Sequence, residues 1–253
     1  MDDFMELTST KREAILPYED SLLIMVGDGP NNNKVITNYM AKLLADGVAP
    51  ENILVIPSIN RAIVEVRDSI AKMVGINSKD LWACTFHSLC ARILRREIEA
   101  TGIYRKNFVI YDDYDINSLV KKCIKQMKLN DECNTPIGVW RAISNIKMKM
   151  MGPMEFSQYA NNNGNFHNQK ISEIYKLYQS KLQENNALDY DDLLLVTISL
   201  IRDHEEIRTR YQQLFRYILV DELEIINKLQ YKLIKLLAEG KRNCVVCDVN
   251  QVI

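Results

Sequence analysis

The sequence predicts an α/β fold, in which a parallel β-sheet carries helices on both faces and is interrupted by an all-helical subdomain. Short apolar runs alternate with segments whose apolar residues recur at helical spacing. Strands that alternate with helices in this way form parallel sheets through right-handed crossovers. A middle stretch shows helical spacing without a convincing strand. We therefore expect an α/β domain of residues 1–94 and 187–253, with residues 95–186 as a helical insertion.

The strands and helices follow from the apolar pattern in chain order. The first strand is predicted at Ser21–Val26, and a glycine turn separates it from a helix over 34–44. The remaining predicted strands are Ile53–Ile56, Trp82–Phe86, Tyr217–Val220 and Cys244–Asp248. The remaining predicted helices are Asn60–Val74, Leu89–Ile98, Asp115–Met127, Gly138–Met150, Lys170–Gln183, Asp191–Ile201 and a last helix that ends at Leu237.

Composition excludes several classes of protein. The 32 Lys and Arg residues nearly cancel the 33 Asp and Glu residues, so any affinity for nucleic acid has to come from a local basic patch. The six Cys residues lie in apolar or helical contexts, which predicts reduced thiols in a cytoplasmic protein. The C-x-x-C pair at Cys244 and Cys247 is best explained as core packing, because no second pair of ligands follows. The longest apolar runs are too short to span a membrane.

A glycine-rich turn follows the first strand, where phosphate-binding loops occur. Such loops use glycines to bring backbone N–H groups to phosphates, a Lys at the β and γ phosphates, and a Ser or Thr hydroxyl on magnesium. When the pattern G-x-x-x-x-G-K-[ST] is started at Gly27, Asn32 stands at the second Gly, Asn33 at the Lys and Lys34 at the hydroxyl. In the register that puts Asn32 at the Lys position, Lys34 is a poor substitute, since it lies two residues further along the helix and its side chain is turned by about 200°.

Two carboxylates end the predicted strand Tyr217–Val220. In phosphate-transferring enzymes the first carboxylate of such a pair holds magnesium and the second orients water. Asp221 and Glu222 have this arrangement, and Asn33 would add a weak metal ligand through its amide oxygen. The alternative is a strand end that is acidic without a catalytic role.

The order and spacing of the motifs resemble the UvrD/Rep type of superfamily-one DNA helicases from end to end of the chain. Thr85-Phe-His-Ser-Leu89 matches the family's DNA-contact motif without a change, and Leu188-Asp-Tyr-Asp-Asp-Leu193 matches its acidic and aromatic segment. The resemblance implies a RecA-like P-loop NTPase domain, with ATP and magnesium as cofactors, single-stranded DNA as a partner and a role in DNA repair or recombination.

The resemblance also assigns roles to particular residues. Lys11 and Arg12 lie in the segment that recognises adenine, and Gly27 and Gly29 take the first two glycine positions of the phosphate loop. In the family's register Asn31, Asn32 and Asn33 replace its Gly, Lys and Thr, so we expect lost or weak ATP hydrolysis. The residues implied at the γ phosphate and at DNA are Gln251, Asn60, Arg61, Thr85, Phe86 and His87.

A local basic face would support DNA binding. The candidates are Arg61, Arg92, Arg95, Arg96, Lys121, Lys122, Lys125, Lys147 and Lys149. The alternative is that they belong to solvated helix faces, as is usual for Lys-rich helices.

Three hypotheses for function remain open from the sequence. The first is a DNA-binding, helicase-like module with lost or weak ATP hydrolysis that needs a second RecA-like domain or a partner protein. The second is the N-terminal fragment of an active ATP-dependent DNA helicase. The third is a protein-interaction scaffold without enzymatic activity.

Overall fold

A computed structural model describes most of the chain. It covers residues 22–26, 32–57, 64, 68, 81–128, 135–162, 166–220, 226–239 and 244–248, and at 22–26, 32–38 and 244–248 it describes the backbone alone. Within these ranges no helix is long and apolar enough to cross a bilayer.

Five parallel strands form the main sheet, in the order β1-β7-β6-β2-β3. Strand β1 (Leu22–Val26) pairs with β7 (Cys244–Asp248), which also pairs with β6 (Tyr217–Val220). Strand β2 (Ile53–Ile56) lies between β6 and β3 (Trp82–Ala83). All four residues of β2 are buried, as expected for a strand of a parallel sheet that is covered on both faces. The sheet, with its flanking helices, confirms the predicted α/β fold class.

Most described helices follow the predicted apolar spacing, whereas those at Pro153–Asn162 and Glu205–Leu214 were not predicted. Helix α1 begins at Asn32 and ends at Ala45, two residues earlier and one residue later than predicted. The others are α2 (Phe86–Glu97), α3 (Asp113–Gln126), α4 (Pro136–Met148), α5 (Pro153–Asn162), α6 (Phe166–Glu184), α7 (Tyr190–Asp203), α8 (Glu205–Leu214) and α9 (Lys228–Ala238). Two short 3-10 helices lie at Pro50–Asn52 and Ile98–Thr101.

The chain divides into two compact units. The sheet unit consists of Met1–Leu89, His204–Ile226 and Gln230–Ile253, and the helical unit consists of Cys90–Asp203 and Asn227–Leu229. The domain limits expected from the sequence, with residues 95–186 as the insertion, stay a prediction.

The core of the sheet unit is built on its central strands and on aromatic side chains. Leu54, Val55 and Leu219 are fully buried on the two strands that pair at the centre of the sheet. Trp82 packs edge-on against Phe215, with ring centroids 5.0 Å apart. Aromatic pairs in this geometry contribute about 0.5–1.5 kcal/mol beyond the area they bury.

The helical unit has a core of its own, drawn from α3, α4, α5 and α6. Burial follows the i, i+3, i+4 spacing that the sequence shows, for example Ile116, Leu119, Val120 and Cys123 on α3. The remaining members are Ile124, Val139, Ile143, Ile146, Phe156, Ile171, Ile174, Tyr175, Tyr178, Leu182 and Ala187.

The predicted strand Trp82–Phe86 is too long at its C-terminal end. Strand β3 stops at Ala83, and α2 begins at Phe86, three residues earlier than predicted. The Thr85 hydroxyl accepts a hydrogen bond from the Ser88 backbone N–H at 3.2 Å. A threonine that caps a helix in this way fixes its first turn, so Phe86 belongs to the helix.

A second, two-stranded sheet in the helical unit was not predicted. Strand β4 (Val109–Ile110) pairs in parallel with β5 (Ala187–Leu188). Each strand has only two residues, so neither gives a readable alternation. Asn186 holds the pairing, because its carbonyl oxygen accepts from the Val109 N–H at 2.9 Å and its Oδ1 accepts from the Arg105 N–H at 2.8 Å.

We predict that Asn186 is required for the stability of the helical unit. It lies just after α6 in the left-handed region at φ 47°, where Asn is tolerated and Ala is strained. Asn186→Ala should lower the free energy of unfolding by about 2–3 kcal/mol, from strain and lost hydrogen bonds. Asn186→Gly should cost only about 1 kcal/mol, since Gly accepts this φ.

Urea unfolding followed by circular dichroism measures both changes. Asn145→Ala on the exposed face of α4 is the control and should change stability by less than about 0.5 kcal/mol. Equal costs for the Ala and Gly variants would contradict the argument from φ.

Candidate nucleotide and nucleic-acid site

The residues predicted to act on nucleotide follow three neighbouring strands. In a parallel sheet all carboxyl ends lie at one edge, which is where ligands of open α/β folds bind. β1 ends at Val26, β7 at Asp248 and β6 at Val220, and the register pairs Val26 with Asp248 and Val220 with Val245. The chain continues from these ends into the segments that contain the predicted nucleotide residues Gly27, Gly29, Asp221, Glu222 and Gln251. These five residues, and Lys11 and Arg12, lie outside the described residues.

The predicted DNA residues follow the other two strands of the same edge. β2 ends at Ile56 and leads toward Asn60 and Arg61, which lie outside the described residues. β3 ends at Ala83 and leads directly into Thr85–His87. The order of strands therefore puts the nucleotide segments after one half of the sheet and the DNA segments after the other.

Helix α1 offers backbone donors for a phosphate. It begins at Asn32, and the first N–H groups of a helix have no partner within that helix. Because the helix dipole also favours negative charge at this end, the first turn suits an anion. Its first three residues are Asn32, Asn33 and Lys34. The start of α1 therefore supplies backbone N–H donors, and Asn32 and Asn33 are amides at the positions where the family's phosphate loop has an ammonium and a hydroxyl.

The segment Thr85–His87 is held by the start of α2. Phe86 is 7% exposed, and His87 is half-buried. Thr85 Oγ1 caps the helix and also donates to Ser88 Oγ at 3.1 Å. The Phe86 ring therefore packs in the protein, and the His87 side chain is more exposed than Phe86. Their role in DNA binding stays a prediction.

Two residues of the expected basic face have other partners. Arg95 donates to the Lys106 carbonyl oxygen at 2.7 Å, and its guanidinium lies 3.8 Å from the centre of the Phe108 ring. Lys147 is fully buried, so the expectation that it contributes to a phosphate-binding face is wrong. Lys121, Lys122 and Lys125 are exposed on α3, where the expectation stays a prediction.

The acidic segment Leu188–Leu193 caps a helix and holds a buried cation. Asp189 precedes α7 and accepts from the Asp192 N–H at 2.8 Å, and Asp192 Oδ2 lies 3.5 Å from the Asp189 nitrogen. This reciprocal arrangement is a capping box. Lys147 Nζ donates to Asp189 Oδ2 at 2.6 Å and to Asp192 Oδ1 at 2.7 Å.

Two further side chains complete the Lys147 cluster, which consists of Lys147, Asp189, Asp192, Tyr178 and Gln179. The Tyr178 hydroxyl donates to Asp189 Oδ2 at 2.8 Å, and Gln179 Nε2 donates to Asp192 Oδ2 at 3.1 Å. Burial by itself would lower the pKa of Lys147, but the two carboxylates raise it above its ordinary value. Lys147 therefore stays charged over the whole working range of pH.

Sequence reasoning missed this cluster because it treated Lys147 as one of several exposed lysines. A signal was present, since Ile143, Ile146 and Lys147 share the helical spacing of a buried face. Nothing in the sequence itself links that face to the Asp residues some forty positions later.

We predict that Lys147→Met destabilises the chain severely. Methionine fills a similar volume but leaves two buried carboxylates without their cation, which costs about 3–5 kcal/mol. Chemical unfolding measures the loss. Lys149→Met is the matched control at the exposed position directly after the same helix and should change the free energy of unfolding by less than about 0.5 kcal/mol. A loss below about 1 kcal/mol for Lys147→Met would show that the ion pairs contribute little.

Comparison with known proteins agrees with the resemblance to the UvrD/Rep helicases that the motifs show. The profile of the UvrD/REP helicase N-terminal domain matches residues 7–253. The chain is 40% identical over 249 residues to the ATP-dependent DNA helicase PcrA of Bacillus subtilis, which covers 98% of this chain and 33% of that helicase. PcrA of Staphylococcus epidermidis is also 40% identical and PcrA of Staphylococcus aureus is 39% identical, each with 34% of the relative covered. The chain thus spans about a third of the length of these relatives. The match extends over nearly the whole chain, and the chain belongs to the UvrD/REP helicase N-terminal domain family.

Proposed function

We propose that this chain is a DNA-binding, helicase-like module that binds single-stranded DNA and hydrolyses ATP weakly or not at all. The observation that supports the proposal best is the order of the strands. The predicted nucleotide segments follow β1, β7 and β6, and the predicted DNA segments follow β2 and β3, all at the carboxyl edge of one sheet. The similarity to PcrA, whose name describes an ATP-dependent DNA helicase, supports the same proposal.

The segments predicted to bind nucleotide can bind a phosphate group through backbone N–H groups, but their side chains suit a phosphate poorly. The N-terminus of α1 supplies N–H donors whatever side chains it carries. Asn32 and Asn33 supply neutral amides, so the positive charge that would stabilise the γ phosphate during transfer is missing from both positions. Asp221 would hold magnesium, with Asn33 as a weak second ligand, and Glu222 and Gln251 would orient groups around the γ phosphate. ATP with magnesium, when bound, would supply a transferable phosphoryl group.

The proposed DNA binding depends on polar contacts at the start of α2 and in the segment after β2. Phe86 is buried, so base stacking on its ring does not support binding. His87, Asn60 and Arg61 would instead contact phosphates and base edges, which needs no hydrolysis of ATP. Binding should therefore survive the loss of the phosphate-loop side chains.

Movement along DNA would need more than this chain. Superfamily-one helicases step along one strand by closing two RecA-like domains around ATP. We propose that a second RecA-like domain, in the same protein or in a partner, completes the ATP cleft.

We predict that restoring the phosphate loop strengthens nucleotide binding. The triple substitution Asn31→Gly, Asn32→Lys and Asn33→Thr returns the glycine, ammonium and hydroxyl. A single hydrogen bond from a charged group contributes about 1.5–3 kcal/mol, so affinity for a fluorescent ATP analogue with magnesium should rise at least tenfold or so.

The control makes the same three substitutions in the run Asn161-Asn-Asn163, which adds the same charge elsewhere. It should leave nucleotide affinity unchanged. Brisk ATP turnover by the unaltered chain would refute the proposal of weak hydrolysis.

We also predict salt-dependent binding of single-stranded DNA. Fluorescence anisotropy with a labelled oligothymidylate should show the logarithm of the binding constant falling linearly with the logarithm of salt concentration, with a slope of about −0.7 for each phosphate contact. His87→Ala should weaken binding roughly fivefold, which corresponds to about 1 kcal/mol.

His204→Ala, at a half-buried position before α8, is the control and should bind DNA like the unaltered chain. Absence of any salt-dependent binding would favour the scaffold hypothesis instead.

A further inference from the structure

The Lys147 cluster contains more negative than positive charge. Lys147 is its single cation, and Asp189 and Asp192 both contact the ammonium group. The exposed fractions of the three side chains are 0%, 2% and 4%. With every group in its ordinary ionised form, the cluster would bury one net negative charge. Proteins avoid such a charge by neutralising a group, because the interior solvates ions poorly.

We propose that the Lys147 cluster takes up one proton from solvent on Asp192, and that the helical unit is therefore a proton-sensitive element that packs more stably when this proton is bound. The proton converts the Asp192 carboxylate into a carboxylic acid and leaves Lys147 paired with Asp189. The cluster is then neutral as a whole.

The surroundings of Asp192 favour the protonated form. Burial, together with the Asp189 carboxylate, raises the pKa of Asp192 to about 6 against the opposing effect of Lys147. The groups that face the cluster from α6, from the segment before β4 and from the start of α5 and α7 are Tyr175, Tyr178, Gln179, Tyr104, Glu155 and Asp191. Burial raises the pKa of Tyr104 to about 12, so this phenol stays neutral and leaves the excess negative charge uncompensated.

Gln179 can accept a hydrogen bond from the protonated Asp192. Its Oε1 is buried and has no hydrogen-bond partner among the described residues, while its Nε2 lies 3.1 Å from Asp192 Oδ2. Rotation of the side-chain amide by half a turn exchanges the two atoms. The amide oxygen would then stand beside Asp192 Oδ2 and accept a hydrogen bond from the protonated acid.

The position of Asp192 connects its proton to the packing of three elements. Asp192 lies in the first turn of α7 and completes the capping box with Asp189. It also contacts Lys147 of α4 and Gln179 of α6. Loss of the proton places two carboxylates against one ammonium inside the helical unit, which weakens the packing of α4, α6 and the start of α7 against each other.

The direction of the pH dependence follows from the raised pKa. The folded chain binds the proton more tightly than the unfolded chain, whose Asp has an ordinary pKa. The added stability is complete below the pKa of the unfolded chain and is lost as pH rises through about 6. Between about pH 5 and about pH 7.5 this one group should raise the unfolding equilibrium constant about tenfold.

The test compares the full chain with Asp192→Asn, which keeps the shape of the acid and cannot lose the proton. Urea unfolding constants are measured from about pH 5 to about pH 7.5. The constant of the unaltered chain should rise about tenfold more than that of Asp192→Asn over this range. Asp113→Asn, at an exposed position of α3, is the control and should follow the unaltered chain.

A second measurement does not depend on any variant. Carbon-13 NMR of the unaltered chain, labelled at its aspartate carboxyl groups, should show Asp192 titrating with a midpoint near pH 6. Equal pH dependence in the unaltered chain and Asp192→Asn would overturn the proposal. Should Asp192→Asn fail to fold, a midpoint for Asp192 below about pH 4 in the unaltered chain would overturn it as well.

Discussion

The parallel alignment of the five main strands is the constraint on which the rest of the candidate site depends. Because every strand of this sheet points the same way, each one delivers the residues after it to a single edge. The apolar residues of β2 and β6 hold that alignment through burial. Polar residues at the strand ends can therefore change without loss of the sheet. The fold is retained by one set of residues, and the chemistry would be carried by another.

Much of the fold could be predicted from the sequence, because buried faces of helices and strands give apolar residues a regular spacing. The four buried residues Ile53–Ile56 and the helical spacing after Asn32 were recognisable without any structure. Two features were predicted wrongly or missed because a single side chain determines the local structure through its hydrogen bonds. Thr85 caps α2 and moves its start to Phe86, and Asn186 holds two strands too short to show a pattern. A hydrogen bond from one side chain overrides periodicity over three or four residues, and periodicity is informative only over longer windows.

The candidate site could be predicted less fully than the fold. The motif residues of the sheet edge were identified because they are adjacent in sequence to strong strands. Lys147 was predicted to lie at the surface, because lysines are rarely buried without an ionic partner and the sequence does not identify one. Its partners, Asp189 and Asp192, are distant in sequence and contact Lys147 only in the folded chain. The same segment resembled a functional motif, and the structure shows that its carboxylates cap a helix and bind a buried ammonium group.

The sheet order also has a consequence for synthesis of the chain. β1 is the first described strand to leave the ribosome, yet its neighbour in the described part of the sheet is β7, the last. Contacts between residues so far apart in sequence form slowly, and units of a protein made earlier can fold before such contacts close. The whole helical core, Ile116 to Ala187, is synthesised in that interval. The side of β1 that pairs with β7 therefore stays without this partner until the segment that contains the helical core has been synthesised.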